Sequence, residues 1–588
     1  MDRAKFKIFA RKVIIYTRGK VCETPEELLA SPLFAELLRR YFDELAATQS
    51  YLLRVLGDRT ADADTISLFV ETLQHLAKLP YTKVPSVVPG AEVFFRDMAL
   101  ISEFIEQLYN YWRSHDRFLL CDSEGDILDQ RPYRTFNSSI ETLTHLIRSV
   151  YRDIQENITL SHPRIYRQVT AGAEIAAISL PQKLQLPGGV YEKLYKIPVI
   201  RQVLINPPLI LNPPMNKRTG QFVKVERNPL ELVEFHQDEW LCYPARVGPL
   251  LILVYFHARF FELGFTLCNL FELAEDEDLN RQPDAVYAFG APAGSLDGLG
   301  VFPTVFHEDA EHDLLVAAAP CDDAFGYFGY LKKMVLTLHN IKMMQAGKLP
   351  FHGAFVKMLL NDYGEKNILI IGDTGAGKSE TLEALRTLGE GRIKGMFIIA
   401  DDMGSLDIDE DGRIIGYGTE TGAFLRLDDL QDGYAFGQID RSIIMSPSQV
   451  NARIVLPVTT YALVMQGHRV DVVLYANNYE QVDDEHPVIE RFFSVDKAFS
   501  VFREGTVMSK GTTTSSGIVH SYFANIFGPA QYREVHDRLA MIFFNAFFSQ
   551  GVFVGQMRTC LGIAGYETDG PARAAEELLE RLQQVASK

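Results

Sequence analysis

A chain of 588 residues, 47% hydrophobic and 23% charged, is too long for one core and too apolar for a disordered segment, so roughly two to four folded domains are expected. A formal net charge of −18, with no long run of Lys and Arg, argues against nucleic acid and against an anionic membrane surface as partner. The six cysteines, Cys22, Cys121, Cys242, Cys268, Cys321 and Cys560, form no CxxC pair, which fits reduced thiols in the cytoplasm better than a disulfide or zinc framework.

The N-terminus places Asp2, Arg3, Lys5 and Lys7 where a signal peptide needs an apolar run. Residues 1–165 read as a mainly helical N-terminal region. Thr24-Pro25-Glu26-Glu27 is a capping box with proline at the first helical position, and apolar residues from Leu28 to Tyr41 follow near helical spacing. A second helix is predicted over residues 94–112. A third is predicted from Ser138-Ser139-Ile140-Glu141, another capping box, through Val150. Breaks are expected at residues 57–64, 79–90 and 121–132, each of which mixes Pro, Gly or Asp.

Residues 166–324 read as a mixed α/β substrate-side domain. Asn206-Pro207-Pro208 through Asn212-Pro213-Pro214 predicts a stiff extended segment, and residues 274–284 and 290–300 predict surface loops. The most apolar window, residues 247–273, contains Arg259 and Glu262, so a buried helix or strand pair is expected rather than a membrane span. His307-Glu308-Asp309-Ala310-Glu311-His312 spaces its histidines five apart, which diverge by about 140° on a helix. It predicts an acidic loop, not a zinc site. No GxSxG elbow and no nucleophilic-cysteine context stand out.

From about residue 325 the pattern becomes that of an α/β nucleotide domain, expected to extend over 325–588. Ile368-Leu369-Ile370-Ile371, Phe397-Ile398-Ile399-Ala400 and Val472-Val473-Leu474-Tyr475 read as buried strands. The first runs into Gly372-Asp373-Thr374-Gly375-Ala376-Gly377-Lys378-Ser379-Glu380, a P-loop. Its glycines let the backbone curl so that N–H groups point at phosphate. Lys378 would reach the terminal phosphates and Ser379 would ligate the nucleotide's metal. A helix is predicted from Ser379 to Leu388, stopped by Gly389. The strand ending in Asp401-Asp402 supplies carboxylates for metal on the far side. Gly416-Tyr417-Gly418 lacks the spacing of a dinucleotide fingerprint and predicts a turn.

Leu349-Pro350-Phe351-His352-Gly353-Ala354, then the P-loop, then Ala400-Asp401-Asp402, resembles both HPr kinase/phosphorylase and phosphoenolpyruvate carboxykinase. The flanks are closer to the carboxykinase. Tyr327-Phe328-Gly329-Tyr330-Leu331-Lys332-Lys333 is similar to its lysine motif. Gly418-Thr419-Glu420-Thr421-Gly422 is similar to its glutamate-glycine segment, and Asn451-Ala452-Arg453 to its arginine motif. The resemblance covers about residues 325–565. It implies a manganese-type ion on Lys333, His352 and Asp402, and a nucleotide Mg²⁺ on Ser379 with Asp401 nearby. It further implies that Lys332 and Arg453 neutralise the transferring phosphoryl group, that Tyr327 flanks the substrate, and that Arg218 is the candidate substrate arginine. The segment 511–517 lacks the acid that the family carries in its lid.

The expected function is therefore an ATP-dependent, divalent-metal-dependent phosphotransferase acting between ATP and the enolate of pyruvate or a similar small carboxylate. ATP, Mg²⁺ and Mn²⁺ are the implied cofactors. One alternative is an HPr-kinase-like protein serine kinase with a protein substrate. The other is a catalytically inactive nucleotide sensor.

Overall fold

A computed structural model describes residues 5–17, 21–122, 132–180, 184–300, 302–389, 391–427, 436–509, 517–526, 528 and 532–586. The protein is mixed α/β. It divides into two compact units, one of Met1–Leu180 with Ile200–Asn206, the other of Pro181–Val199 with Pro207–Lys588. The boundary expected between residues 324 and 325 falls inside the second unit.

The first unit combines helices with a sheet. Strand β1 (Lys5–Phe9) pairs antiparallel with β2 (Lys12–Thr17). Next to β2 come β3 (Asp116–Asp122) and β4 (Ile175–Leu180), both parallel. The sequence reading missed these strands. Val13-Ile14-Ile15 and Phe118-Leu119-Leu120 are buried on both faces, so they show no period-2 alternation to separate them from helical apolar runs.

Thr24 caps α1 (Pro25–Leu29) through the Glu27 N–H, and Glu27 accepts from the Glu23 N–H. Ser31 caps α2 (Pro32–Ala47) and Asp62 caps α3 (Ala63–Leu76). α4 (Met98–Arg113) starts four residues beyond the predicted position and is capped by Asp97. α5 (Pro132–Thr159) begins well before Ser138, so the second expected capping box lies inside a helix. Phe42, Phe69 and Phe104 form the aromatic centre of this core.

The second unit contains two large sheets. In one, β5 (Trp240–Val247) and β6 (Leu250–His257) pair antiparallel. β7 (Ala285–Ala291) joins β6 in parallel, followed by β9 (Leu314–Pro320), also parallel, and β8 (Val305–Asp309) on its far side. The apolar window predicted as buried is β6 together with α6 (Phe261–Thr266). His307, Glu308 and Asp309 are part of β8 rather than a loop. This strand pairs with β9 on one side and with Val223–Lys224 on the other, and Glu308 meets Lys224 and Tyr532.

α7 (Phe328–Gln345) is buried over nearly all of its surface. The other sheet is built on β10 (Leu349–Leu360) and β11 (Gly364–Ile371), which pair antiparallel. α8 (Lys378–Leu388) follows β11 and ends at Gly389. β12 (Ile393–Ala400) pairs with the second half of β10, and β13 (Met403–Ile408) with its first half. β14 (Ile414–Gly418) pairs with β13, so Gly416-Tyr417-Gly418 is a strand and not the expected turn. A Cβ on Gly416 would overlap the Phe355 ring at 2.4 Å, which accounts for a glycine in mid-strand. β15 (Gly422–Arg426) pairs with β16 (Arg453–Pro457). β17 (Val472–Asn477) and β18 (Phe553–Arg558) extend the sheet from β11, all parallel. Among the described residues no helix is long and apolar enough to cross a membrane.

Candidate functional site

Because β11, β17 and β18 are parallel, their C-terminal ends share one edge, the usual place for ligands on such sheets. β11 enters the glycine loop there and α8 leaves it. Gly375 and Gly377 have φ of 79° and 93°, which an L side chain rarely adopts. A Cβ on Gly377 would also stand 2.6 Å from Thr559 Oγ1. The loop's carbonyls are tied down from neighbouring strands. Asn478 Nδ2 donates to Gly375 O at 2.9 Å, and Thr559 Oγ1 donates to Ala376 O at 2.8 Å. Asp373 shapes the turn by accepting from the Thr374 N–H at 2.7 Å. Lys378 Nζ donates to Gly372 O at 2.6 Å and Asp373 O at 3.1 Å. Lys378, Ser379 and Glu380 form the first turn of α8, whose N–H groups have no acceptor within the helix and carry its positive dipole end.

Beside the loop lies an acid–base cluster. β12 and β13 leave and rejoin the same edge of β10, and the chain bends between them at Asp401-Asp402. The bend is fixed by the Gly353 N–H donating to Asp402 O at 3.0 Å, and the Gly372 N–H reaches His352 O at 3.4 Å. His352 Nε2 then stands 2.8 Å from Asp402 Oδ1, and Lys332 Nζ stands 2.7 Å from Asp402 Oδ2. Burial works against the Asp402 carboxylate, but Lys332 and His352 hold it well below the usual carboxylate range. Burial also disfavours charge on Lys332, yet Asp402 and Glu420 raise it above the ordinary lysine range, with Asp401 contributing. Lys333 goes the other way. Burial, then Arg218, and then Lys332 against the pull of Asp402, bring it down to about 8.

The remaining predicted residues gather around Phe424 on β15. Lys332 Nζ is 5.7 Å and Arg453 Cζ 5.4 Å from the centre of its ring, and Tyr327 packs on it at 6.1 Å. Tyr327 is in turn raised by burial, with Arg453, Lys332 and Arg218 opposing. Asn451 Nδ2 donates to Asn216 O at 2.6 Å, and Tyr330 Oη donates to Thr219 O at 2.8 Å. These two bonds pin the loop that carries Arg218, whose guanidinium lies over Phe222 at 5.0 Å.

Sequence reasoning assigned no role to Glu420 or Phe424. Glu420 is 1% exposed, 3.3 Å from Lys332 Nζ, and its carboxyl oxygens have no hydrogen-bond partner among the described residues. Burial pushes it up to about 8. The signal that could have found it is the glycine pair around it. A Cβ on Gly418 would meet Ile399 O at 2.0 Å and one on Gly422 would meet Asn269 O at 1.8 Å, so both ends of the segment are held against backbone. The lid residues 511–516 lie outside the described residues; Gly517 opens a strand.

The implied metal can be tested against these side chains. Among the described residues no group of three His, Cys, Asp or Glu side chains is placed to hold a metal ion, so a third protein ligand here would have to be another side chain, such as lysine. His352 Nδ1 is hydrogen-bonded to the Ala524 carbonyl and therefore carries a proton. Nε2 thus directs its lone pair at a carboxylate oxygen, a contact that requires a second ring proton or a cation in between. The 2.8 Å separation matches the edge of about 3 Å spanned by two ligands on an octahedral ion. Lys333 near 8 reaches its neutral, ligating form with little cost. His352 Nε2 and Asp402 Oδ1 are therefore spaced as two ligands of one divalent ion would be.

Fold and site together define a mixed α/β protein whose glycine loop and buried Lys–Asp–His cluster share a sheet edge. Searches among models of known protein families and among curated proteins give no match to this chain.

Proposed function

We propose that the protein is an ATP-dependent, divalent-metal-dependent phosphotransferase of the phosphoenolpyruvate carboxykinase-like type, acting on the enolate of pyruvate or a similar small carboxylate. The observation that carries this reading is the convergence of the glycine loop with Lys332, Lys333, His352, Asp402 and Arg453, residues spread over more than a hundred positions of the chain. Phosphoryl transfer needs little covalent chemistry from the protein. It needs the donor and acceptor held in line, with positive charge where negative charge develops. The first turn of α8 cradles the phosphates. Lys378 exchanges its bonds to Gly372 O and Asp373 O for the terminal phosphates. Lys332 and Arg453, both packed on Phe424, face the transferring group, and Arg218 and Tyr327 orient the carboxylate acceptor. A divalent ion on Lys333, His352 and Asp402, and another with the nucleotide at Ser379, would supply Lewis-acid charge.

The test is calorimetric titration of ATP and GTP with Mg²⁺ and Mn²⁺ present, followed by assay of γ-phosphate transfer to small carboxylates. ATP should bind, and Lys378→Ala should weaken binding at least tenfold. No heat from either nucleotide in either metal would overturn the proposal. Binding without transfer to any acceptor would leave a nucleotide sensor instead.

A further inference from the structure

The second unit holds another side-chain cluster, at the end of its first sheet and separate from the glycine loop. β6, β7 and β9 are parallel, so their C-terminal ends fall on one edge, and β5 runs antiparallel to β6 with Trp240 opposite His257. This topology gathers three residues that are far apart in sequence. Glu239 lies just before β5, His257 closes β6, and Cys321 follows β9.

Cys321 Sγ is 3.4 Å from His257 Nδ1. The Arg259 N–H also donates to Nδ1, at 3.2 Å, so Nδ1 is the acceptor nitrogen and the ring proton sits on Nε2. Nε2 faces Glu239 Oε2 at 3.6 Å. The backbone is tied on each side, by Cys321 N–H to Ala291 O at 2.6 Å and Ala258 N–H to Glu239 O at 2.7 Å. Trp240 packs edge-on against the imidazole at 5.4 Å. Gly290 leaves the room the ring needs, since a Cβ there would stand 2.5 Å from His257 Cβ. Arg259, clamped by Asp323 at 2.7 Å, adds positive charge near the thiol. Cys321 is partly exposed and the His257 side chain is 24% exposed, so a small molecule can reach them.

A thiol against the acceptor nitrogen of an imidazole whose other nitrogen faces a carboxylate is the arrangement of an activated nucleophile. We propose that Cys321, with His257 as base and Glu239 orienting it, is a reactive thiol that exchanges with low-molecular-weight disulfides. The Sγ proton passes to His257 Nδ1, and the thiolate attacks one sulfur of the disulfide. That S–S bond breaks as the bond to Cys321 forms. The departing thiolate takes the proton back from His257. One thiol and one disulfide enter; one mixed disulfide and one thiol leave. Four of the other five cysteines are disfavoured as nucleophiles, Cys121 being the fifth. Burial raises the thiols of Cys22, Cys242, Cys268 and Cys560 and so disfavours their reactive form.

The test is reaction of the full-length protein with 5,5′-dithiobis(2-nitrobenzoate) at pH 7, following released thiolate and mapping the modified peptide. A fast phase should map to Cys321 and vanish in Cys321→Ser. An unassisted thiol is only a few per cent thiolate at this pH, so His257→Asn should slow the phase by ~10- to 30-fold. Glu239→Gln, at a half-exposed position, should slow it severalfold and carries the test alone if His257→Asn does not fold. The proposal is overturned if there is no fast phase, if the phase maps to another cysteine, or if its rate is unchanged in the folded variants.

Discussion

Replacing Lys332 with Met keeps the aliphatic stem and removes the cation. Lys332 is 1% exposed, and its ammonium lies 2.7 Å from Asp402 Oδ2 and 3.3 Å from Glu420 Oε1. Its loss leaves buried carboxyls uncompensated. Breaking one partner out of a buried pair costs about 3–5 kcal/mol. Above pH 8, where Glu420 is ionised, Glu420→Gln in the same chain removes one of the two stranded acids, so the pair should couple by about 2 kcal/mol and the double variant should be less damaged than the sum. The chain has two tryptophans, Trp112 in the first unit and Trp240 in the second. A Trp112→Phe background therefore leaves Trp240 as a fluorescent reporter on the unit that carries Lys332. Urea unfolding of the four variants in that background measures both terms. A cost below about 1 kcal/mol, or strict additivity of the two substitutions, would refute the reasoning.

Gly377→Ala forces a side chain into φ 93° and against Thr559 at 2.6 Å, which should cost about 2–3 kcal/mol in the same urea titration and weaken ATP binding in calorimetry. Glu420 is raised from the ordinary 4.5 to about 8, so the folded state keeps a proton that the unfolded chain gives up. Stability should fall as pH rises through that window, and Glu420→Gln should flatten the decline. Lys333 is lowered from 10.5 to about 8, so the unfolded chain is the form that holds the extra proton. Stability should therefore rise between those values, and Lys333→Met should remove the rise in a pH series of thermal melts. Asp402→Asn takes away a proposed ligand and should reduce Mn²⁺ affinity at least tenfold by electron paramagnetic resonance.

Much of the local structure was legible in the chain. The glycine loop, the strand before it and the helix after it follow from Gly375, Gly377 and the Ile368–Ile371 run, and the helix starts within one residue of the expected place. The Thr24 cap was readable because its partners are three residues away. Strands β2 to β4 were not, since a strand buried on both faces shows no alternation and its neighbours lie many tens of positions away in the chain.

The same division separates the sites. Their place at the end of an apolar strand marked Asp401 and Asp402, and the resemblance of short motifs pointed to Lys332, Lys333, His352 and Arg453. They could not say that Lys332, not Lys333, would hold the Asp402 carboxylate, or that Glu420 would be buried against it. Nor could they join Cys321 to His257 and Glu239, which have no common motif. Turns, caps and glycine-dependent backbone are decided within a few residues and are written in local sequence. Protonation, ion pairing and the meeting of distant side chains depend on burial and on strand order, which exist only once the sheets have formed.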